Sequence, residues 1–407
     1  MSELVAYLCG RPAGRLIRKD NGNLQFRYDS SYTGPALSQA LPLQDAAHPH
    51  KICQAVFGGL LLEGDAREVV ARNLGVSIGN DYALLEALGG DCAGAITLLE
   101  PGEVLPLVPQ AKQLDGAQLD DILRELPQRP LAADPGAGTR LSLAGAQPKL
   151  PAIVEPHRTL LPLNAAAATT HIIKPEPARF PGLVDNEAFC MELAHAVGLP
   201  VAPVSKRRSS SNLAFLLVER YDRDHTTDPI RRLHQEDFCQ ALGRQSERKY
   251  QAEGGPSVAE AVELLRGCSA KPAQDLATLW RALVFNWLIG NCDAHAKNFS
   301  LMYDAGVPTL APLYDLVCTT VYPELTHRLA MSLDGAREIQ NVEAVTWTNL
   351  AREINYSVRF AIREINALAL RTVTEAEALI ESGGHDSKVV KEIFAGIRER
   401  AGRAVSG

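Results

Sequence analysis

The stretch Asn291-Cys292-Asp293-Ala294-His295-Ala296-Lys297-Asn298-Phe299-Ser300 follows directly on an apolar helical pattern, and this junction restricts the fold more than any other part of the sequence. Ahead of it, Trp280, Leu283, Val284, Trp287 and Leu288 recur at the spacing of one helix face, and Gly290 supplies a stop signal. The decapeptide therefore leaves the end of a buried helix. Charged groups held near a core each need a partner, so chemistry explains the segment better than packing does. The plainer alternative is a polar helix C-cap followed by an ordinary hairpin.

The internal spacing sharpens the chemical reading. Phosphoryl-transfer enzymes of the protein-kinase kind carry an Asp that accepts the substrate hydroxyl's proton and, five residues on, an Asn that holds Mg²⁺. Asp293 and Asn298 have that spacing. A second metal-binding carboxylate is then expected across a hairpin. Phe299 to Tyr303, Asp304-Ala305-Gly306 and Val307 to Tyr314 read as strand, turn and strand, with Asp315 ending the second strand. A hairpin centred between Gly306 and Val307 would set Asn298 opposite Asp315, and a one-residue slip would undo the pairing.

Bulk properties exclude several classes. The 407 residues are 46% hydrophobic, enough for a sizeable core and two or three domains. There is no apolar run of membrane-spanning length, and Met1-Ser2-Glu3-Leu4 lacks the start of a signal peptide, so a cytoplasmic protein is expected. The eight cysteines include no Cys-x-x-Cys pair, which argues against zinc and against a disulfide framework. Cys292 stands beside Asp293, but no arrangement that would activate a thiol is visible around it. A net charge of -7 makes the chain a poor DNA binder by itself.

From the N-terminus, strands are expected at Leu4 to Leu8 and Leu24 to Tyr28, with a turn over Gly10 to Gly14 between them. Short amphipathic helices are expected at Ala66 to Leu74 and Tyr82 to Leu88. A Pro/Gly/Ala stretch from Pro127 to Thr139 reads as a connection. After it, Arg140 to Leu150 is a small-residue loop able to bring backbone N–H groups close to phosphates, although it has a single glycine and fails the P-loop pattern. His171-Ile172-Ile173-Lys174 is a strand ending in a lysine where a kinase places its phosphate-pairing lysine. A helix from Asp185 to Val197, capped by Asp185, offers Glu187 and Glu192 as partners for Lys174. Leu213 to Asp222 is an apolar strand running into a charged turn, which makes Glu219 and Tyr221 candidates for adenine contact or simply surface polar residues. Helices are expected again at Val342 to Asn355 and Val373 to Ile380, before a polar tail.

Together these segments resemble the HipA-type serine/threonine kinases of bacterial toxin–antitoxin systems. The resemblance is carried by Leu141 to Lys149, His171 to Pro175, Val184 to Glu187, Val218 to Arg223, Leu233 to Asp237, Gly290 to Ser300 and Pro312 to Asp315. Leu60 to Gly64 and Gly89 to Ala95 look like the family's N-terminal domain. Pro148 departs from the pattern, where a polar residue is expected, and removes one backbone donor from the loop.

The resemblance implies an α+β fold: a two-lobed protein-kinase-like core with an N-terminal α/β domain and a mainly helical C-terminal lobe. The corresponding divisions are 1–126, 127–232 and 233–407. It implies Asp293 as catalytic base and Asn298 and Asp315 as Mg²⁺ ligands. Ala144, Gly145, Ala146, Gln147, Lys149, Lys174, Glu219, Tyr221, His295 and Lys297 are the implied ATP contacts. Ser142 is the implied site of inhibitory autophosphorylation. The implied partners are a helix-turn-helix antitoxin of the HipB kind, operator DNA reached through that antitoxin, and a protein substrate, in one member of the family an aminoacyl-tRNA synthetase. Two other functions compete at this point: a small-molecule phosphotransferase and a kinase-shaped corepressor without activity.

Overall fold

A computed structural model describes residues 2–132, 142–145, 147–304 and 306–405. The chain divides into two compact units, one of Met1–Pro175, Arg207–Glu247 and Leu301–Gly306, the other of Glu176–Lys206, Arg248–Ser300 and Val307–Gly407.

The first unit opens with an antiparallel meander of β1 (Ser2–Leu8), β2 (Arg11–Arg18) and β3 (Leu24–Tyr28). Alternation along β1 turns Leu4, Ala6 and Leu8 into the core. Helices α1 (His50–Gly58), α2 (Gly64–Asn73) and α3 (Asp81–Leu88) contribute to the same core, and β4 (Ile96–Leu99) pairs with the other side of β1. The expected turn over Gly10 to Gly14 is shorter than read: Gly14 lies within β2, opposite Tyr28.

The same unit holds β5 (Ala111–Leu114), α4 (Gly116–Glu125), β6 (Leu150–Glu155), β7 (Arg158–Pro162) and β8 (His171–Pro175). The chain re-enters it along β9 (Val204–Arg208) and continues into β10 (Ala214–Glu219). Its sheet runs β5-β7-β6-β8-β10. A boundary after residue 126 therefore does not separate two packed bodies. β5 precedes it yet forms the edge of the sheet that carries Lys174, and Leu123 and Leu126 bury themselves against Leu150, Ala152, Ile173, Phe215 and Leu217. One apolar surface cannot be split without exposing it. The unit continues with β11 (Arg223–Asp224), β12 (Arg231–Arg232), β13 (His234–Asp237) and α6 (Phe238–Ala241).

The second unit is mainly helical, as expected: α5 (Leu183–Ala196), α7 (Val258–Cys268), α8 (Pro272–Ile289), α9 (Ala344–Glu353), α10 (Val358–Glu381) and α11 (Lys388–Val405). α8 is its axis. Trp280, Leu283, Val284, Trp287 and Leu288 are all buried, and Trp347 of α9 meets Trp280 and Trp287 edge-on at 5.6 and 5.7 Å. The expected polar tail is instead α11. Val390, Ile393, Ile397, Ala401 and Ala404 recur at helical spacing and are buried, and α11 contacts α5, α8 and α10.

Two further expectations are corrected in this unit. The N-cap of α5 is Gly182, and Glu176 accepts from the backbone N–H groups of Gly182 and Val184, so Asp185 sits in the first turn rather than at the cap. Glu192 is spent on His385, at 2.8 Å. Among the described residues no helix is long and apolar enough to cross a membrane.

Candidate active site

The decapeptide is held from both of its sides by the second unit. α8 ends at Gly290, whose backbone is left-handed (φ 80°) and whose carbonyl accepts from Thr319 N (3.0 Å) and Thr320 N (3.2 Å). Any side chain at 290 would collide with Thr320. Asn286 on the last turn of α8 accepts from Asn291 Nδ2 (2.7 Å), and Asn291 Oδ1 accepts from Asp293 N (3.0 Å). Two buried amides therefore relay the rigidity of the helix to the backbone of Asp293. Cys292 donates its N–H to Thr319 Oγ1 (2.9 Å), and its carbonyl accepts from Ala330 N (2.9 Å). Burial pushes its thiol up to about 11, so Cys292 is an inert core residue.

The loop then folds back on itself. His295 N donates to the Asp293 carbonyl (2.8 Å), Asn298 N to the His295 carbonyl (2.9 Å), and Asn298 Nδ2 approaches the Asp293 carbonyl (3.4 Å). The spacing of five thus becomes adjacency. Asp293 is exposed, whereas His295 and Lys297 are buried. Its Oδ1 accepts from the phenol of Tyr250 at 2.8 Å, and Oδ2 makes no hydrogen bond among the described residues. The Tyr250 ring stands edge-on to His295, with centroids 5.4 Å apart.

Asp315 does not end a strand. β14 (Ser300–Asp304) and β15 (Val307–Leu310) stop short of it, and it is Ala311 N that bonds Ser300 O, at 2.8 Å, where the expected pairing would set Leu313 opposite Ser300. Beyond that point the backbone of Leu313 pairs with Pro200 and Ala202 instead. Pro312 cannot donate to a ladder in any case. Asp315 takes a left-handed conformation (φ 58°), uncommon for a residue with a side chain and a frequent mark of functional sites. Its neighbour Tyr314 donates to the Lys297 carbonyl (2.7 Å) and shares a hydrogen bond with Ser300 Oγ (2.6 Å), tying this segment to the loop that carries Asn298.

The remaining candidates lie in the first unit. Ser142 is fully buried: its Oγ donates to Leu60 O (2.6 Å) and its N–H to Asp91 O (2.9 Å). Gly145 has φ 107°, which only glycine adopts readily, and bridges Leu62. Lys149 Nζ donates to Ala144 O (2.8 Å), closing the small-residue loop on itself. Gln147 belongs to the same loop, while Ala146 lies outside the described residues. Lys174 is buried on β8 opposite Leu216. Glu219 ends β10 and lies 3.5 Å from His225, and Tyr221 bonds Gln235.

Between Glu219 and Tyr221, Arg220 turns inward to a buried ionic cluster that the sequence reading missed. Asp91 holds Arg223 (2.9 Å), Arg232 (3.2 Å) and Thr169 Oγ1 (2.8 Å). Asp222 holds Arg220 (2.7 Å), Arg223 (3.1 Å) and Gly94 N (2.7 Å). Burial alone would raise both carboxyls, yet the guanidinium groups hold them below the usual carboxylate range. Tyr250 was missed as well. It lies 43 positions from Asp293 within a short polar run, and no local pattern singles it out.

The arrangement can orient an exposed carboxylate beside an amide, with hard oxygen donors of the kind Mg²⁺ takes. Comparison with known proteins identifies relatives along the chain. Residues 4–99 match the HipA N-terminal domain and residues 141–380 the HipA-like C-terminal domain. Y4mE of Sinorhizobium fredii, named as a candidate kinase, is 45% identical over 91% of this chain and 90% of its own. The serine/threonine-protein kinase toxin HipA of Shewanella oneidensis is 32% identical over 80% of this chain and 76% of its own. The solved structure of Shewanella oneidensis HipA with HipB and operator DNA superposes with a TM-score of 0.84, at 26% identity, over 98% of this chain and 96% of that one. With both domains matched in order and the fold shared along nearly its whole length, the chain belongs to the HipA family of kinase toxins.

Proposed function

We propose that this chain is an ATP-dependent serine/threonine protein kinase and the toxin of a toxin–antitoxin module. The observation that carries the reading is the Asp293–Asn298 loop: an exposed carboxylate with one open oxygen, fixed through Asn291 and Asn286 to a buried helix, with Asn298 folded against its carbonyl. Asp293 accepts the substrate hydroxyl's proton. Lys174 and Lys149 serve the phosphates, Gly145 allows close backbone approach, Glu219 and Tyr221 serve the adenine, and His295 and Lys297 complete the nucleotide contacts.

The residues fit Mg²⁺ by the chemistry of their donors. Among the described residues no three His, Cys, Asp or Glu side chains gather into a metal-holding group. Asn298 and Asp315 would thus give one amide oxygen and one carboxylate, the modest protein share usual for an ion that arrives with phosphates and keeps water. When bound, the ion neutralises charge on the transferring phosphoryl group.

We assign self-inhibition to Ser142 on the same reading, and its burial supports it. With Oγ on Leu60 O, this hydroxyl must leave its site before it can be phosphorylated. A phosphate of about -1.5 to -2 charges could not re-enter so enclosed a position, so modification would hold the loop out. We assign the partners by the same reading: a HipB-like helix-turn-helix antitoxin, operator DNA reached through it, and a protein substrate, of which an aminoacyl-tRNA synthetase is one candidate. The chain's own net charge of -7 suits indirect DNA contact.

The test is Asp293→Asn, which keeps size and removes the base. Phosphoryl transfer from labelled ATP should fall by roughly 10² to 10⁴, growth arrest on expression should disappear, and nucleotide should still bind. Retention of more than half the transfer rate would end the assignment.

A further inference from the structure

A carboxylate base on an exposed loop has a problem the fold must solve, because a side chain with two free torsions presents its oxygens in many directions. Rate depends on holding the base near its productive geometry, and a misplacement of about 1 Å can cost on the order of a hundredfold. The backbone of Asp293 is fixed by Asn291, but that bond leaves the side chain unset. One group sets it. The phenol of Tyr250 donates to Oδ1 at 2.8 Å, and Oδ2 is left without a hydrogen bond among the described residues.

We propose that Tyr250 is the positioning residue of the catalytic base, pinning one oxygen of Asp293 so that the other is presented to the substrate hydroxyl. The inference rests on the reading of Asp293 as the base and names a residue outside the motifs that led to it.

The phenol is itself well held. Its ring stands edge-on to His295 (centroids 5.4 Å, 79° between planes), and the Lys249 ammonium lies over its face at 5.4 Å. The next residue, Gln251, opens a short 3-10 turn, and its Oε1 accepts from Ser332 N (2.7 Å) and Ser332 Oγ (3.0 Å). Tyr250 therefore stands on a segment fastened to β16 (Arg328–Leu333), while Ala330 of that same strand holds the Cys292 carbonyl at 2.9 Å. Strand, turn, phenol and loop close a circuit around Asp293. Catalytic bases oriented in turn by a third group are a recurrent design, and a phenol suits this one because it donates to a carboxylate without competing for protons at neutral pH.

The experiment compares wild type, Tyr250→Phe, Asp293→Asn and the double variant, all as full-length protein, in transfer from ATP to a protein substrate and to a generic acceptor such as myelin basic protein. Tyr250→Phe keeps the ring and its contacts, so its melting temperature should stay within about 2 °C of wild type. Its kcat should fall about ten- to a hundredfold with KM for ATP within twofold. In the Asp293→Asn background the same change should have no further effect, because the group it positions is gone. A spectroscopic arm needs no turnover: the Tyr250 ¹³Cζ resonance should move on Asp293→Asn.

A Tyr250→Phe variant with wild-type kcat would show that only the ring matters and would overturn the proposal. A variant faster than wild type would make the phenol a block rather than a support and would overturn it equally. Losses that multiply in the double variant would count against it in the same way. Failure of the kinase reading looks different: Asp293→Asn would then keep its activity, or the wild-type protein would transfer no phosphate.

Discussion

Replacing Asp91 by Asn should be among the most damaging single changes in the first unit, although Asp91 belongs to no catalytic motif. Its carboxylate is 1% exposed and holds two arginines and a threonine: Arg223 at 2.9 Å, Arg232 at 3.2 Å and Thr169 Oγ1 at 2.8 Å. Arg220 lies 3.8 Å away. In the wild type two buried carboxylates face three guanidinium groups, and in Asp91→Asn one carboxylate remains for the same three. Removing one partner of a buried ion pair costs about 3–5 kcal/mol, because the charge left behind can neither return to water nor find a new partner. For units of this size each kcal/mol moves the melting temperature by about 2–4 °C, so calorimetry should show a fall of roughly 10 °C. The pH dependence carries a sign. Carboxyls held below their ordinary value stabilise the fold above the unfolded pKa, near 3.9, and lose that contribution as the pH drops toward the folded value. Wild type should therefore lose stability steeply below about pH 4, and Asp91→Asn should lose less over the same interval. A melting temperature within 2 °C of wild type at neutral pH would refute the claim that this cluster carries a net ionic contribution.

Two further outcomes are expected. Glu236 is buried, accepts from Gln39 N at 2.9 Å and from the Tyr303 hydroxyl, and burial pushes its carboxyl up to about 7. A raised acid favours folding below its unfolded pKa and costs stability as pH climbs through the folded value, by on the order of 3 kcal/mol. Wild type should thus melt lower at pH 8 than at pH 5 and Glu236→Gln should flatten that slope, whereas parallel slopes in the two proteins would remove Glu236 as the cause. Incubation with ATP and Mg²⁺ should phosphorylate Ser142, and trypsin should release Leu141 to Lys149 as one peptide with a single hydroxyl. If mass spectrometry finds that peptide unmodified while other targets are phosphorylated, the inhibitory loop does not operate in this chain.

Much of the candidate site's local structure could be read from the chain alone, because it is written in local spacing. The apolar face of α8, the glycine that ends it and the Asp-to-Asn interval of five are all fixed by helix geometry and turn chemistry within some 30 residues. The same holds for β3, α2 and α3, whose periodicities named them to within two residues. Local pattern failed where backbone groups found partners from elsewhere. Leu313 spends its hydrogen bonds on Pro200 and Ala202, which takes Asp315 off the hairpin. Glu176 rather than Asp185 receives the first N–H groups of α5. The polar-looking C-terminus became a helix because its thin apolar stripe had α5, α8 and α10 to cover it. The Asp91 cluster and the phenol on Asp293 were decided by the tertiary structure alone. Each joins residues more than 40 positions apart, and a contact of that kind leaves no mark on the sequence near either partner.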